Sequence, residues 1–306
     1  MYPLFPPPDP MTKRKQRSAS SARRGGVGRA TVLSRKKVKR EGEAWAASVV
    51  KVKVEVGLVE LPLPKPYVKT VEGETTRGPF PGWPKPSRAD AFRAHAELVS
   101  VHGDIDVPKN TSRSVPVLDS LVRTILSQNT TDITSARAFA QLKKRFPTYE
   151  AMEHARLGQI EKEIKCCGLA EKRANVIKNI LGTLRVERGE LSMEYLHLLR
   201  DSEVKSALCR FKGVGPKTAA CVLMFCLNRP EFPVDTHVWR IAKRLKWVKP
   251  SASREQTYEH LNARVPDEIK YALHVLMVGH GKCCTACAKN NKPRRKPIHK
   301  CPLTLG

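Results

Sequence analysis

Between Pro216 and Phe225 the chain reads Ala219, Ala220, Val222, Leu223 and Phe225 with no polar face left over. A helix of that composition is buried on every side, so the segments around it have to cover it. They carry the pattern to do so. Val117, Leu118, Leu121, Val122, Ile125 and Leu126 mark one apolar face of a helix ending near Ser127, and Ala136, Phe139, Leu142 and Phe146 continue with a second helix stopped by Pro147. Further faces follow at Ile160 and Ile164 with a Gly168 stop, at Ala174, Ile177, Leu181 and Leu184, and at Val204, Leu208 and Phe211. Beyond the buried helix come Val238, Ile241 and Leu245, then Tyr258, Leu261 and Val265, then Ile269, Leu273, Leu276 and Met277. From about residue 88 onward this predicts an all-α chain with short loops and no internal repeat.

The 306 residues (34.2 kDa) suffice for one substantial core with a second subdomain or an appended segment. Residues 1–85 read as a disordered tail. Pro3, Pro6, Pro7 and Pro8 open it, a Ser/Arg/Gly/Lys-rich stretch follows, and Pro62, Pro64, Pro66, Pro79, Pro81 and Pro84 close it. Val50, Val52 and Val54 alternate within Val49 to Val59, a lone-strand signal with no evident partner. The net charge of +27 points to a polyanionic partner. Residues 1–40 account for +11 of it, so the folded part itself carries a basic excess of the kind that meets nucleic acid. Lys13-Arg14-Lys15-Gln16-Arg17 and Arg35-Lys36-Lys37-Val38-Lys39-Arg40 are basic clusters that read as a nuclear-localisation signal or as an arm adding DNA affinity. The Arg/Ser-rich, acid-poor start also fits an organelle transit peptide. No apolar run reaches the roughly 18 residues of a membrane span. The nine cysteines sit in helical patterns or cluster near the C-terminus, which suits a reducing compartment and a soluble intracellular protein.

The chemistry concentrates in Phe211-Lys212-Gly213-Val214-Gly215-Pro216-Lys217-Thr218-Ala219 and Val234-Asp235-Thr236-His237. The two glycines allow a tight hairpin between helices, and Pro216 pre-sets the first turn of the next one. Amides of Gly213 and Gly215 at a helix N-terminus suit a backbone phosphate. Taken alone, a G-x-G between helices is equally a tight corner. Its company is an amine, Lys217, just inside the helix, and a carboxylate, Asp235, one helix and a short loop downstream.

Together with Val238-Trp239-Arg240, these segments resemble the signature of the helix-hairpin-helix (HhH-GPD) DNA glycosylases of the endonuclease III type. Leu126-Ser127-Gln128-Asn129-Thr130-Thr131-Asp132, Ile164-Lys165-Cys166-Cys167-Gly168-Leu169, the Lys172–Leu181 helix and His280-Gly281 match in the family's order and spacing, from about 115 to 282. The resemblance implies two helical subdomains with a DNA cleft between them, one at about 115–229 and one combining 88–113 with 230–306, within a glycosylase domain of 86–306. It makes Lys217 the nucleophile and Asp235 its partner. Burial against the Val222/Leu223 helix and the positive helix end would both favour a neutral Lys217 amine. Lys217 as a phosphate contact and Asp235 as the N-cap of the Val238 helix are the plainer alternatives, and capping does not exclude catalysis. The target base must leave the stack. The resemblance gives Asn129, beside Gln128, as the filler of the vacated space and Leu169 as the wedge, the alternative for Leu169 being an apolar contact that closes the preceding helix. Thr130 and Thr131 are read as caps, Asp132 as a pocket-side acid, His237 as a hydrogen-bonded structural residue, and Lys212, Val214 and Thr218 as DNA contacts around the hairpin.

Two departures stand out. Pro216 occupies a position where bacterial relatives commonly carry a basic residue. Many relatives also bind a [4Fe–4S] cluster through C-x6-C-x2-C-x5-C, whereas Cys283, Cys284, Cys287 and Cys301 read C-C-x2-C-x13-C. Three readings follow: a cluster on these four, a zinc site from Cys284, Cys287, His299 and Cys301, or a metal-free remnant whose basic insert, Lys292 to Lys300, grips phosphate. The expected activity is that of a monomeric DNA glycosylase and AP lyase acting on oxidised pyrimidines in damaged double-stranded DNA. The rivals are a monofunctional glycosylase for mismatched or deaminated bases and a non-catalytic DNA-binding module.

Overall fold

The computed structural model describes residues 49–54, 57–62, 78–106, 115–293 and 295–303. The two basic clusters of the tail lie outside the described residues. Within the tail, β1 (Val49–Val54) pairs with β2 (Gly57–Pro62) as an antiparallel hairpin in which Val49 faces Pro62 and Val54 faces Gly57. The alternating valines therefore do have a partner strand. Its glycine start and proline end are poor strand formers and hid it in the sequence. This hairpin belongs to a compact unit of its own.

The second unit is helical, and among the described residues it holds α1 (Arg88–His102), α2 (Val117–Ser127), α3 (Asp132–Arg145), α4 (Tyr149–His154), α5 (Leu157–Ile164), α6 (Ala170–Arg188), α7 (Asp201–Cys209), α8 (Pro216–Phe225), α9 (Thr236–Arg244), α10 (Arg254–Arg264) and α11 (Asp267–Cys283). Side-chain caps begin several of them. Thr131 accepts from the Thr134 amide, Thr148 from the Ala151 amide, and Ser87 and Ser253 form capping boxes with Asp90 and Gln256. None of the described helices is long and apolar enough to cross a membrane.

The buried side chains divide between two clusters. One runs from Val117 to Leu227 and is built by α2 to α8. The other gathers Ala91, Ala94 and Leu98 of α1 with residues from Phe232 to Leu303. In the first, α8 packs on α2 and α7, and Thr218 to Met224 are buried without interruption, which satisfies the demand that its apolar sequence makes. In the second, α11 packs on α1 and α9. The folded body also starts before residue 86. Phe80 is buried in the second cluster, Trp83 Nε1 donates to the Lys246 carbonyl (3.1 Å), and Arg264 Nη1 donates to that of Pro84 (2.9 Å). The last part of the expected tail, from Phe80 to Pro84, therefore lies against the helices, anchored by Phe80 and Trp83.

Candidate active site

Helix α7 ends at Cys209, and a short turn leads into α8. Gly213 has φ +95°, and a Cβ there would come within 2.4 Å of Val176 on α6, so this position demands glycine twice over. Gly215 differs from the sequence expectation. Its φ is −103°, and a Cβ would meet nothing within 4 Å, so its backbone asks for no glycine; it is the N-cap of α8, and its bareness keeps that helix end open. Among the described residues the amides of Gly213 and Gly215 have no protein acceptor, while the Val214 amide closes the turn on the Phe211 carbonyl (2.9 Å). Lys212 is exposed beside the turn, and Val214 is buried beneath it.

Lys217 is the second residue of α8, and Cys221 follows one turn later on the same face. Asp235 caps α9, its Oδ1 accepting from the amides of His237 and Val238 (both 2.8 Å). The amine is pushed upward by Cys221 first, then by Asp235 and Asp132, against burial, which pulls it down. Burial raises the Cys221 thiol in turn, against the pull of Lys217. The expectation of a depressed Lys217 is thereby corrected, because carboxylates and a sulfur surround the buried amine. Burial pulls Asp235 up, but His237, the Val238 amide, His274 and Lys217 outweigh it and hold the carboxyl below its usual range.

Two histidines complete this corner. His237 sits with its Nδ1 3.1 Å from Arg240 Nη2 and is lowered by burial, in keeping with a structural role. A Cβ on Gly281 would fall 2.7 Å from the His237 ring, so Gly281 lets α11 approach the start of α9. His274 on α11 was not singled out from the sequence. It is buried, bonded to the Pro233 carbonyl (2.8 Å), stands edge-on to Phe225 and Phe232, and is held neutral by burial, at about 4, within electrostatic reach of Asp235 and Lys217. Only its spacing on the apolar face of α11 was visible in the sequence, where it reads as core.

The loops after α2 and before α6 form a second corner. Gln128 Nε2 donates to Thr218 Oγ1 (3.3 Å), joining the α2 end to α8. Asn129 is exposed with φ +54°, and Leu169 is 62 % exposed with φ +51°. That exposure removes the reading of Leu169 as an apolar contact closing the preceding helix. Thr131 caps α3, whereas Thr130 bonds back through its amide to Ser127. Asp132 receives Lys282 Nζ (2.9 Å) and Arg295 Nη2 (3.3 Å).

Both loops hang on one buried residue that sequence reading missed, Arg173 of α6. Its Nη1 donates to the carbonyls of Ile125 (2.8 Å) and Leu126, and its Nη2 to those of Gln128 and Cys167 (3.3 Å). The guanidinium thus satisfies the C-terminal carbonyls of α2 while tying the Asn129 turn to the Gly168-Leu169 turn. Arg173→Met leaves these acceptors unpaired in the interior, and a loss of about 3 kcal/mol is expected in urea unfolding. Hydrogen exchange should quicken at residues 128–130 and 167–169 before it does elsewhere.

Of the four cysteines proposed as metal ligands, the structure gathers Cys284, Cys287 and Cys301 and replaces the fourth with His280. Cys283 falls in a second group with His102 and His280, its thiol bonded to the Gly279 and His280 carbonyls, and His299 is exposed and outside both groups.

The all-α scaffold that carries the glycine turn, the amine and the carboxylate is similar to that of proteins already described. A family model for the HhH-GPD superfamily base excision DNA repair protein matches residues 122–267, a span that includes Lys217 and Asp235. An Arabidopsis thaliana protein named as a DNA glycosylase is 52 % identical over 197 residues, covering 63 % of this chain and 67 % of that one. Endonuclease III of Sulfolobus acidocaldarius is 30 % identical over 189 residues, covering 61 % and 79 %. A solved structure of a non-covalent endonuclease III–DNA complex shares the fold with a TM-score of 0.54 at 22 % identity, over 68 % of this chain and 90 % of that one. The chain belongs to the HhH-GPD superfamily of base-excision DNA repair proteins. Within it, the chain is an endonuclease III-like DNA glycosylase.

Proposed function

We propose that the chain is a bifunctional DNA glycosylase and AP lyase that uses Lys217 as nucleophile on damaged double-stranded DNA. The observation that carries this reading is the grouping of Lys217 with Asp235 and Asp132 beside the open N-terminus of α8. Gly213 and Gly215 amides receive a backbone phosphate without reading sequence, and Lys212 adds charge at the same spot. The base rotates out of the stack, Leu169 enters from the second corner of the site, and Asn129 fills the space. Lys217 must then shed a proton, because its surroundings favour the ammonium form. Its free Nζ attacks C1′, and the glycosidic bond breaks with its electron pair leaving on the base. Asp235 stabilises the positive charge that builds at the sugar. The sugar ring opens to an imine between C1′ and Lys217, a C2′ proton departs, and the C3′–O bond breaks to release the 3′ phosphate, after which water frees the lysine.

The substrate class that goes with the resemblance to endonuclease III is oxidised pyrimidines. Borohydride trapping and strand incision on duplexes carrying thymine glycol, oxidised cytosine, uracil, mismatched thymine or an abasic site test both halves of the proposal. Covalent trapping with thymine glycol or oxidised cytosine and with the abasic site is expected. Base release from uracil or mismatched thymine without trapping would favour a monofunctional enzyme, and binding without turnover on any duplex would favour a non-catalytic module.

A further inference from the structure

We infer that the C-terminal end of α11 and the chain that follows it form a mononuclear, zinc-class site ligated by His280, Cys284, Cys287 and Cys301, in place of the iron–sulfur cluster of many relatives. The four donor atoms lie within 4.8 Å of one another, and His280, Cys284 and Cys287 are buried. A tetrahedral ion with bonds of about 2.3 Å to sulfur and about 2.0 Å to nitrogen sets two thiolates roughly 3.8 Å apart, and a thiolate and an imidazole nitrogen roughly 3.5 Å apart. The Sγ atoms of Cys287 and Cys301 are 3.8 Å apart, and Cys301 Sγ is 3.5 Å from His280 Nε2. A [4Fe–4S] cubane binds one ligand at each of four separate irons and holds those ligands apart by the width of the cluster. This group is too tight for that, and Cys283, the remaining thiol of the region, gathers with His102 and His280 and not with the other three cysteines.

The backbone supports the same assignment. The Cys284-x2-Cys287 turn closes through the Cys287 and Ala288 amides on the Cys284 carbonyl (3.2 and 2.9 Å). The chain then returns to pair Ile298 with Cys284, through the Ile298 amide on the Cys283 carbonyl (2.9 Å) and the Thr285 amide on the Ile298 carbonyl (3.0 Å), and so delivers Cys301. His280 Nδ1 is 2.9 Å from His102 Nε2, the outer partner that leaves Nε2 as the metal-facing atom of a ligating imidazole. Deprotonated thiolates and a neutral imidazole are the donors zinc selects. The ion would close the loop bearing Arg295, a cation that holds Asp132. Its role is structural, since the four protein donors leave no open position.

The full-length chain, expressed with zinc and iron both supplied and purified anaerobically without chelator, tests this by elemental analysis and visible spectroscopy. About one zinc per chain and no iron–sulfur absorption are expected. Exchange into cobalt(II) should give the intense visible bands of a tetrahedral thiolate site. Cys283→Ser should keep the full ion content, and Cys287→Ser should retain about tenfold less or fail to fold. About four irons per chain with cluster absorption, a wild-type protein free of metal, or loss of the ion in Cys283→Ser would overturn the assignment.

Discussion

Lys217→Ala is expected to lose borohydride trapping altogether and to incise damaged duplex at least about a thousandfold more slowly, equivalent to about 4 kcal/mol of transition-state stabilisation. Duplex affinity should change by no more than about threefold, because the amides of the glycine turn do not depend on this side chain. The fold should hold as well. Alanine is the best helix former, and Asp235 keeps the His237 and Val238 amides as partners when the amine is gone. Thermal unfolding and circular dichroism check this point, so inactivity cannot be mistaken for unfolding. The wild-type pH profile carries a further expectation. Because Cys221, Asp235 and Asp132 push the amine upward, the reactive neutral form is scarce at neutral pH. Single-turnover base release should therefore climb with pH through the neutral range, by about tenfold per pH unit at most, and level off only in the alkaline range. A plateau already at pH 7 would mean that the amine is depressed in the complex with DNA.

Asp235→Asn should cost about a hundredfold to a thousandfold in base release while preserving the start of α9. Asparagine is as good an N-cap as aspartate, and its oxygen can accept from the His237 and Val238 amides as the carboxylate does. What it removes is charge. Two consequences separate this from a general loss of structure. Imine formation on a preformed abasic aldehyde, which has no base to expel, should suffer much less than excision of a damaged base. The alkaline limb of the profile should also move to lower pH, because one of the negative charges that raise Lys217 is gone. Stability has its own sign. The Asp235 carboxyl is held below its usual range, so its ionised form stabilises the fold above the unfolded-state value, about 3.9, and that contribution fades as pH falls through the lower folded value. The stability difference between wild type and Asp235→Asn should accordingly shrink in acid.

Much of the helical fold was readable because it is local. The apolar faces at Val117 to Leu126 and Ala174 to Leu184 need only their own spacing, and the interior position of α8 follows from its lack of a polar face. The glycine turn around Gly213 and the Asp235 cap are likewise short-range features, and the fold brings Lys217 and Asp235 together. Features that depend on distant neighbours were hidden. Gly213 is required by Val176 as well as by its turn, and Gly215, which looks equivalent in sequence, is not. Arg173 reads as one more surface arginine until α2 supplies the carbonyls it bonds. Lys217 was expected to be depressed because burial is visible in a sequence pattern, whereas carboxylates arriving from α3 and α9 are not. His280 reads as part of a family motif, and its pairing with His102, far away in the chain, shows it turned toward the cysteines. At six residues, α4 is too short to show a period and is marked by its Thr148 cap.

In the proposed reaction Lys217 itself forms the bond to the sugar. Reducing the reaction on a thymine glycol duplex with borohydride, digesting the adduct with nuclease and protease, and sequencing the modified peptide by mass spectrometry tests it most directly. A deoxyribose remnant is expected on Nζ of Lys217, in the peptide that begins at Gly213 after cleavage at Lys212. A remnant on another lysine or on the N-terminal amine, with Lys217 unmodified, would contradict it.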